Sequence, residues 1–76
     1  IIIMISQTIL NKIIEDLQKN ANNNKEREVY LDLHPYDMKI SGEITDYILE
    51  YLKTNNIIEK GVKDGKGLIR CIVCKF

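Results

Sequence analysis

The chain of 76 residues contains no tryptophan, one phenylalanine, one proline and one histidine, and it has no net charge because 11 basic residues balance 11 acidic ones. The balanced charge excludes the strongly basic composition that lets a protein bind nucleic acid through charge alone. A chain this short buries only about 60% of its unfolded surface, which limits it to one small core. Residues 1–76 are therefore predicted to form a single domain.

Long hydrophobic runs are also absent. The most apolar run is residues 1–5, far shorter than the roughly 20 residues that a membrane-spanning helix needs. It has neither the charged flank nor the cleavage site of a signal peptide. The sequence therefore predicts no membrane partner. It leaves open whether this N-terminal apolar segment extends a helix, completes the core or is exchanged as a strand between two copies.

Cysteine is scarce, and the two that are present, Cys71 and Cys74, lie in a predicted strand near the C-terminus. Three residues of strand separate their Cα atoms by about 10 Å and point them to opposite faces, whereas a disulfide requires less than about 7 Å. Free thiols indicate an intracellular protein. With His34 as the single histidine and no second Cys-x-x-Cys pair, no metal site is predicted.

Two segments have the periodicity of amphipathic helices. Apolar residues recur every three or four positions over residues 6–22 and again over residues 41–54. Ser6 or Thr8 is predicted to cap the first helix and Ser41 the second, because a hydroxyl oxygen at this position accepts a hydrogen bond from a free helix amide.

The remaining elements are predicted to be strands. Residues 29–33 alternate apolar and polar side chains, which is typical of a strand. Residues 35–39 leave room for a short helix. Residues 57–76 are predicted to form a hairpin whose two turn residues are Asp64 and Gly65.

That turn would fix which residues of the hairpin face each other. The predicted pairs are Glu59 with Arg70, Ile58 with Cys71 and Ile57 with Ile72, so that unlike charges and apolar side chains meet. Gly67 would alternatively widen the loop to four residues, which leaves the register open.

Residues 44–73 resemble the winged-helix family. Ile44 to Lys53 is similar to its recognition helix, Asn55 to Ile58 to the segment that enters the strand, and Lys63 to Gly67 to the tip of its wing, followed by a returning strand. The sequence departs from the family at residues 33–41, where a clear second helix is usual. The resemblance implies a small winged-helix-like α+β domain, with two main helices packed on a three-stranded antiparallel sheet.

Charge is unevenly distributed along the chain. Residues 29–50 carry one basic and five acidic side chains, whereas residues 51–76 carry six basic and two acidic ones. The candidate nucleic-acid-binding residues are Lys60, Lys63, Lys66 and Arg70 of the basic hairpin. Such cations bind phosphates and release counterions, but lysines at a hairpin also serve solubility and block edge pairing.

The second helix and the last strand suggest a protein interface instead. The exposed side of the helix is acidic, whereas a helix that reads base edges presents Arg, Lys, Asn or Gln. The last strand is apolar on both faces, and a small domain has few elements to cover the second face. The candidate protein-interface residues are Glu43, Asp46, Glu50, Leu68, Ile72 and Phe76, and a homodimer is expected.

No catalytic pattern is recognisable. The glycines do not form a phosphate-binding or dinucleotide-binding loop. Asp32, His34 and Asp37 include a base and residues that would orient it, but a domain of this size has little volume for a substrate pocket. The sequence therefore predicts no enzyme activity, no cofactor and no small-molecule substrate.

These observations lead to two functional expectations. The first is a non-enzymatic, intracellular nucleic-acid-binding or transcription-regulatory module that contacts double-stranded DNA through its basic hairpin. The alternative is a protein–protein interaction module that uses the acidic second helix and an apolar face of the last strand.

Overall fold

A computed structural model describes residues 4–75, which form an α+β domain. In chain order the elements are α1 (Gln7–Ala21), β1 (Glu28–Asp32), α2 (Gly42–Thr54), β2 (Ile58–Gly65) and β3 (Leu68–Val73). The three strands form one antiparallel sheet in the order β1-β3-β2. The predicted helices and the first strand are confirmed to within one residue at each end. The predicted N-terminal segment 1–5 lies only partly within the described residues, and Phe76 lies outside them.

Serine hydroxyls begin both helices. The Ile9 amide donates to Ser6 Oγ at 3.2 Å, and the Ile44 amide donates to Ser41 Oγ at 3.1 Å. Each bond satisfies a backbone amide that the first turn of a helix leaves without a partner. Ser6 and Ser41 therefore fix the residues at which the two helices begin, and with them the apolar face of each helix.

The two helices cover the same face of the sheet. Ile69, Cys71 and Val73 of β3 point to this face and are almost fully buried. α1 packs on β1 and β3, and α2 packs on β2 and β3. The core joins these strand residues to apolar helix side chains that include Leu10, Ile13, Leu17, Ile48 and Leu52. No element within residues 4–75 covers the opposite face.

The short helix considered at residues 35–39 does not form. The segment is a series of turns and bends, in which the Tyr36 amide donates to the Leu33 carbonyl and the Met38 amide donates to the Tyr36 carbonyl. Pro35 brings no amide hydrogen, and five residues offer too few hydrogen bonds to offset the cost of starting a helix.

The predicted hairpin register is wrong. The turn consists of Lys66 and Gly67, with Gly65 opposite Leu68, so neither the Asp64-Gly65 turn nor the four-residue loop is present. The observed pairs are Ile58 with Val73, Lys60 with Ile72 and Val62 with Arg70, in place of the pairs predicted from Glu59, Ile58 and Ile57. The pairing is irregular between Ile58 and Lys60 and again between Lys63 and Gly65. Glu59 and Asp64 are therefore extra residues in two bulges of β2.

Gly67 explains why the turn lies here. Its φ of +76° is a left-handed conformation that glycine adopts without strain. Its amide donates to Thr45 Oγ1 at 2.7 Å, and its carbonyl accepts from the Leu33 amide at 2.8 Å. A Cβ atom at this position would lie 2.7 Å from His34 Cε1, which is closer than real contacts allow. A turn at Asp64 and Gly65 would lose these bonds.

Substitution of Thr45 by valine tests this anchor. Thr45 is 0% exposed, and its hydroxyl also donates to the Ser41 carbonyl at 2.7 Å. Valine keeps the shape but leaves the buried Gly67 amide without its acceptor, so Thr45→Val is expected to lower the free energy of unfolding by about 1–3 kcal/mol. Urea denaturation measures this change. Thr54→Val, at an exposed position of the same helix, is the control, and equal effects of the two variants would contradict the prediction.

Candidate interaction surfaces

The four candidate nucleic-acid-binding residues do not form one basic patch. Lys60 and Arg70 lie opposite Ile72 and Val62, on the face of the sheet that the helices leave uncovered. Lys63 points to the helical side, where its Nζ atom lies 2.9 Å from Asp46 Oδ1 of α2. Lys66 is the exposed residue of the turn. The structure therefore does not bring the four predicted residues together. The charge of Lys63 is already paired with that of Asp46.

The hairpin does not project as a free finger. Leu68 at the start of β3 lies beside Asp32 at the end of β1, so only the turn extends beyond the first strand. The bond from the Leu33 amide to the Gly67 carbonyl then fastens that turn to the loop after β1. The basic residues are thus held on the body of the domain.

The uncovered face of the sheet brings together residues from both predicted sets, Leu68 and Ile72 of the interface set and Lys60 and Arg70 of the basic set. Residues opposite each other in an antiparallel pair point to the same face, so the register identifies the side chains on it. We call this surface the open sheet face, and it consists of Glu28, Tyr30, Asp32, Lys60, Val62, Leu68, Arg70 and Ile72. Tyr30 is 55% exposed and Val62 52% exposed, and both Leu68 and Ile72 are half-buried. Arg70 is therefore at the middle of this face, with Tyr30 and Val62 beside it on the two edge strands, and Glu28, Lys60 and Asp32 lie towards its corners.

One hydrogen bond crosses this face. The Tyr30 hydroxyl of β1 donates to the Asp64 carboxylate at the second bulge of β2, so the tyrosine side chain extends over β3 between them. The bond to the carboxylate raises the pKa of Tyr30 above its usual value. This bond thereby links the two edge strands, β1 and β2, across the central strand β3.

A shallow depression lies at the other end of the open sheet face. It has a volume of about 170 Å³ and is lined by side chains that include Glu28, Lys60, Val62 and Ile72. Ile72 is in its centre, with an acidic residue on the β1 side and a basic residue on the β2 side. This arrangement can take an apolar side chain and pair with one charge of each sign.

The acidic residues of α2 form a separate surface. Glu43, Asp46 and Glu50 are exposed on the helix, Asp46 pairs with Lys63, and Glu50 Oε1 lies 3.8 Å from Lys53 Nζ. Because α2 covers the inner side of the sheet, these carboxylates cannot act together with the open sheet face in one flat contact. The predicted interface set is therefore split between two sides of the domain, and its member Phe76 lies outside the described residues.

A cleft of about 500 Å³ separates α1 from the loop after β1. Its lining residues are Thr8, Ile9, Lys12, Asp16, Asp32, Pro35, Tyr36 and Asp37. The Tyr36 hydroxyl donates to Asp16 Oδ2 at 2.5 Å, and this bond lowers the pKa of Asp16. Burial, together with the same bond, raises the pKa of Tyr36 well above its usual range.

The catalytic group considered from the sequence is assembled only in part. His34 Nδ1 lies 2.7 Å from Asp32 Oδ1, so these two side chains do meet. Asp32 and Asp37 line the cleft, but His34 is not among its lining residues. Among the described residues, the candidate base His34 therefore does not line the cleft that has room for a substrate.

The cysteines are free thiols in different environments. Cys71 is buried under the helices, and Cys74 is half-buried beyond the end of β3. Burial raises the pKa of Cys71 to about 11. Within residues 4–75 no three histidine, cysteine or acidic side chains converge in a way that would hold a metal ion.

Comparisons with known proteins yield no match: no family model, no curated protein and no solved structure matches the chain. No helix in the described part of the chain is long and apolar enough to cross a membrane.

The reactivity of the two thiols follows from their burial. In a Cys74→Ser variant, the remaining thiol of Cys71 has a pKa of about 11 against an ordinary value of 9.0, which lowers its thiolate fraction near neutral pH about a hundredfold. The folded variant is expected to react with Ellman's reagent at least that much more slowly than the same chain in urea. The matched Cys71→Ser variant reports on Cys74 alone. Equal rates for the folded and unfolded Cys74→Ser chain would contradict the buried position of Cys71.

Proposed function

We propose that this protein is a non-enzymatic protein–protein interaction module that presents its open sheet face to a partner. The observation that carries the proposal is that both helices pack on one face of the sheet, while the other face is bare within the described residues. Tyr30 and Val62 leave apolar surface on that face exposed to water, which is unfavourable. Partner binding would bury it.

The composition of the open sheet face supports this proposal. Its aromatic and aliphatic side chains, Tyr30, Val62 and Ile72, would supply the apolar contact. Glu28 and Lys60 at its margins would form the charged rim that orients a partner. Aromatic residues and arginine, such as Tyr30 and Arg70 here, are enriched at protein interfaces.

We further propose that the architecture is a variant of the winged-helix fold. The order helix, strand, helix, strand, strand supports this assignment, with the turns of residues 34–38 in place of a second helix. In this variant the hairpin is fastened to the body through Gly67. The two free thiols support an intracellular location.

Site-specific photo-cross-linking tests the interaction. A photoreactive phenylalanine analogue at Val62, on the β2 side of the open sheet face, is expected to form discrete adducts in the cells from which the chain derives. The matched probe at Lys19, on the exposed side of α1, should not form them. Excess unlabelled wild-type chain should compete for the adducts, whereas excess Val62→Glu chain should not, because a carboxylate disfavours the apolar contact.

The size of the adduct identifies the partner as a second copy or as another protein. The proposal is wrong if the Val62 probe forms no adduct, or if wild-type and Val62→Glu chains compete equally well.

A second candidate function is nucleic-acid binding by the hairpin. Lys60 and Arg70 lie on the same open sheet face and Lys66 is in the turn. Within residues 4–75 none of these three forms an ion pair, in contrast to Lys63. Three cations without a carboxylate partner would be free to contact phosphates. Glu28, Asp32 and Asp64 on or beside the same face would weaken such binding, which is why we place it second.

Binding to a labelled DNA duplex of mixed sequence at about 20 mM and about 150 mM salt tests this second candidate. If the hairpin binds DNA, the triple variant Lys60→Ala, Lys66→Ala, Arg70→Ala loses affinity tenfold or more at low salt. The control variant Lys19→Ala, Lys25→Ala, Lys39→Ala has the same net charge and should bind like the wild type. Absence of binding at low salt, or equal losses in both variants, would exclude the hairpin as a nucleic-acid site.

A further inference from the structure

We infer that the open sheet face binds a second copy of the same chain, packed face to face about a two-fold axis parallel to β3. The inference depends on the proposed function, because it names the partner of the surface proposed above. The charges at the two edges of the sheet carry the argument.

The register arranges the open sheet face in rows of three residues. Ile72 of the central strand lies between Glu28 of β1 and Lys60 of β2. In the next row Arg70 lies between Tyr30 and Val62. The first row thus has a negative edge on β1 and a positive edge on β2, at the same level along the strands.

A two-fold axis parallel to β3 exchanges the two edges. It places β1 of one copy over β2 of the other, with each row facing its own symmetry mate. Glu28 of each copy then faces Lys60 of the other, which gives two ion pairs, and Tyr30 faces Val62. Ile72 meets its symmetry mate at the shallow depression, where an apolar side chain fits.

The alternative face-to-face arrangement brings like charges together. An axis in the plane of the sheet but perpendicular to the strands places β1 over β1 with the rows reversed. Glu28 of one copy then faces Asp32 of the other on both sides of the axis, and Lys60 faces Gly65, beside the Asp64 carboxylate that is already bonded to Tyr30. Like charges in contact oppose association, so the charge pattern selects the axis parallel to β3.

With the axis parallel to β3, Arg70 of one copy faces Arg70 of the other, because this residue lies on the central strand next to the axis. This is a contact between like charges. Each copy also brings the Asp64 carboxylate, which Tyr30 holds over β3, to this part of the face. The two Asp64 carboxylates thus balance the charge of the two Arg70 side chains in this part of the face, without an ion pair within one copy.

The dimer is expected to be weak. Three strands about 4.8 Å apart and five or six residues of about 3.4 Å each give a face of about 15 by 20 Å. This area is smaller than the roughly 800 Å² that each partner contributes to a standard stable interface. Association therefore has to be measured at concentrations up to about 1 mM.

Sedimentation velocity with charge-reversal variants tests the inference. The wild-type chain is expected to dimerise with increasing concentration, and both Glu28→Lys and Lys60→Glu should weaken the dimer at least tenfold, because each places like charges opposite each other twice. The double variant should recover the dimer. An equimolar mixture of the two single variants should form a heterodimer, because both of its pairs then join opposite charges.

Two control variants, Glu26→Lys and Lys19→Glu, change the same charges at exposed positions away from the open sheet face and should behave like the wild type. Circular dichroism verifies that each single variant folds, and recovery in the mixture uses those same chains. The inference is overturned if the wild type stays monomeric at about 1 mM, if a single variant dimerises as well as the wild type, or if neither the double variant nor the mixture recovers the dimer.

Stronger dimerisation of Glu28→Lys would also overturn it, because that result indicates the perpendicular axis. A monomeric chain whose Val62 probe still forms adducts with another protein would overturn this inference while leaving the proposed function in place.

Discussion

The buried hydrogen bond between the Gly67 amide and the Thr45 hydroxyl is the constraint on which the rest of the architecture depends. It joins the hairpin turn to the first turns of α2, and the Gly67 carbonyl joins the same turn to Leu33 after β1. Three elements that are distant in sequence therefore meet at one glycine. The position of the turn sets the register of the hairpin, and the register decides which charges lie on the open sheet face.

Much of the fold could be predicted from local sequence, and the parts that could not depend on tertiary contacts. Periodicity and the serine caps located both helices, because Ser6 and Ser41 bond amides only three residues away. The hairpin register is different. Asp64-Gly65 is the stronger local turn signal, but the buried contacts of Gly67 outweigh it, and Asp64 becomes a bulge residue bonded to Tyr30.

The candidate surfaces were predictable in composition but not in arrangement. The sequence identified Lys60 and Lys63 as basic hairpin residues, yet they point to opposite sides of the sheet and Lys63 pairs with Asp46. Tyr30 was missed, although the alternation along β1 places it on the opposite face from its buried neighbours Val29 and Leu31. Val62 was missed because its face depends on the register. Which face of a sheet the helices cover is a property of the whole domain, and no short segment encodes it.

The two bulges in β2 have a consequence for solubility. A strand at the edge of a sheet offers unpaired backbone groups to which another chain can add, and a bare sheet face would ordinarily increase that hazard. The bulges at Glu59 and Asp64 interrupt the regular spacing along this edge, so that an incoming strand would find no continuous ladder to extend. The addition of further strands at the β2 edge is thereby disfavoured. A chain that exposes one face of its sheet is in this way protected from polymerising edge to edge.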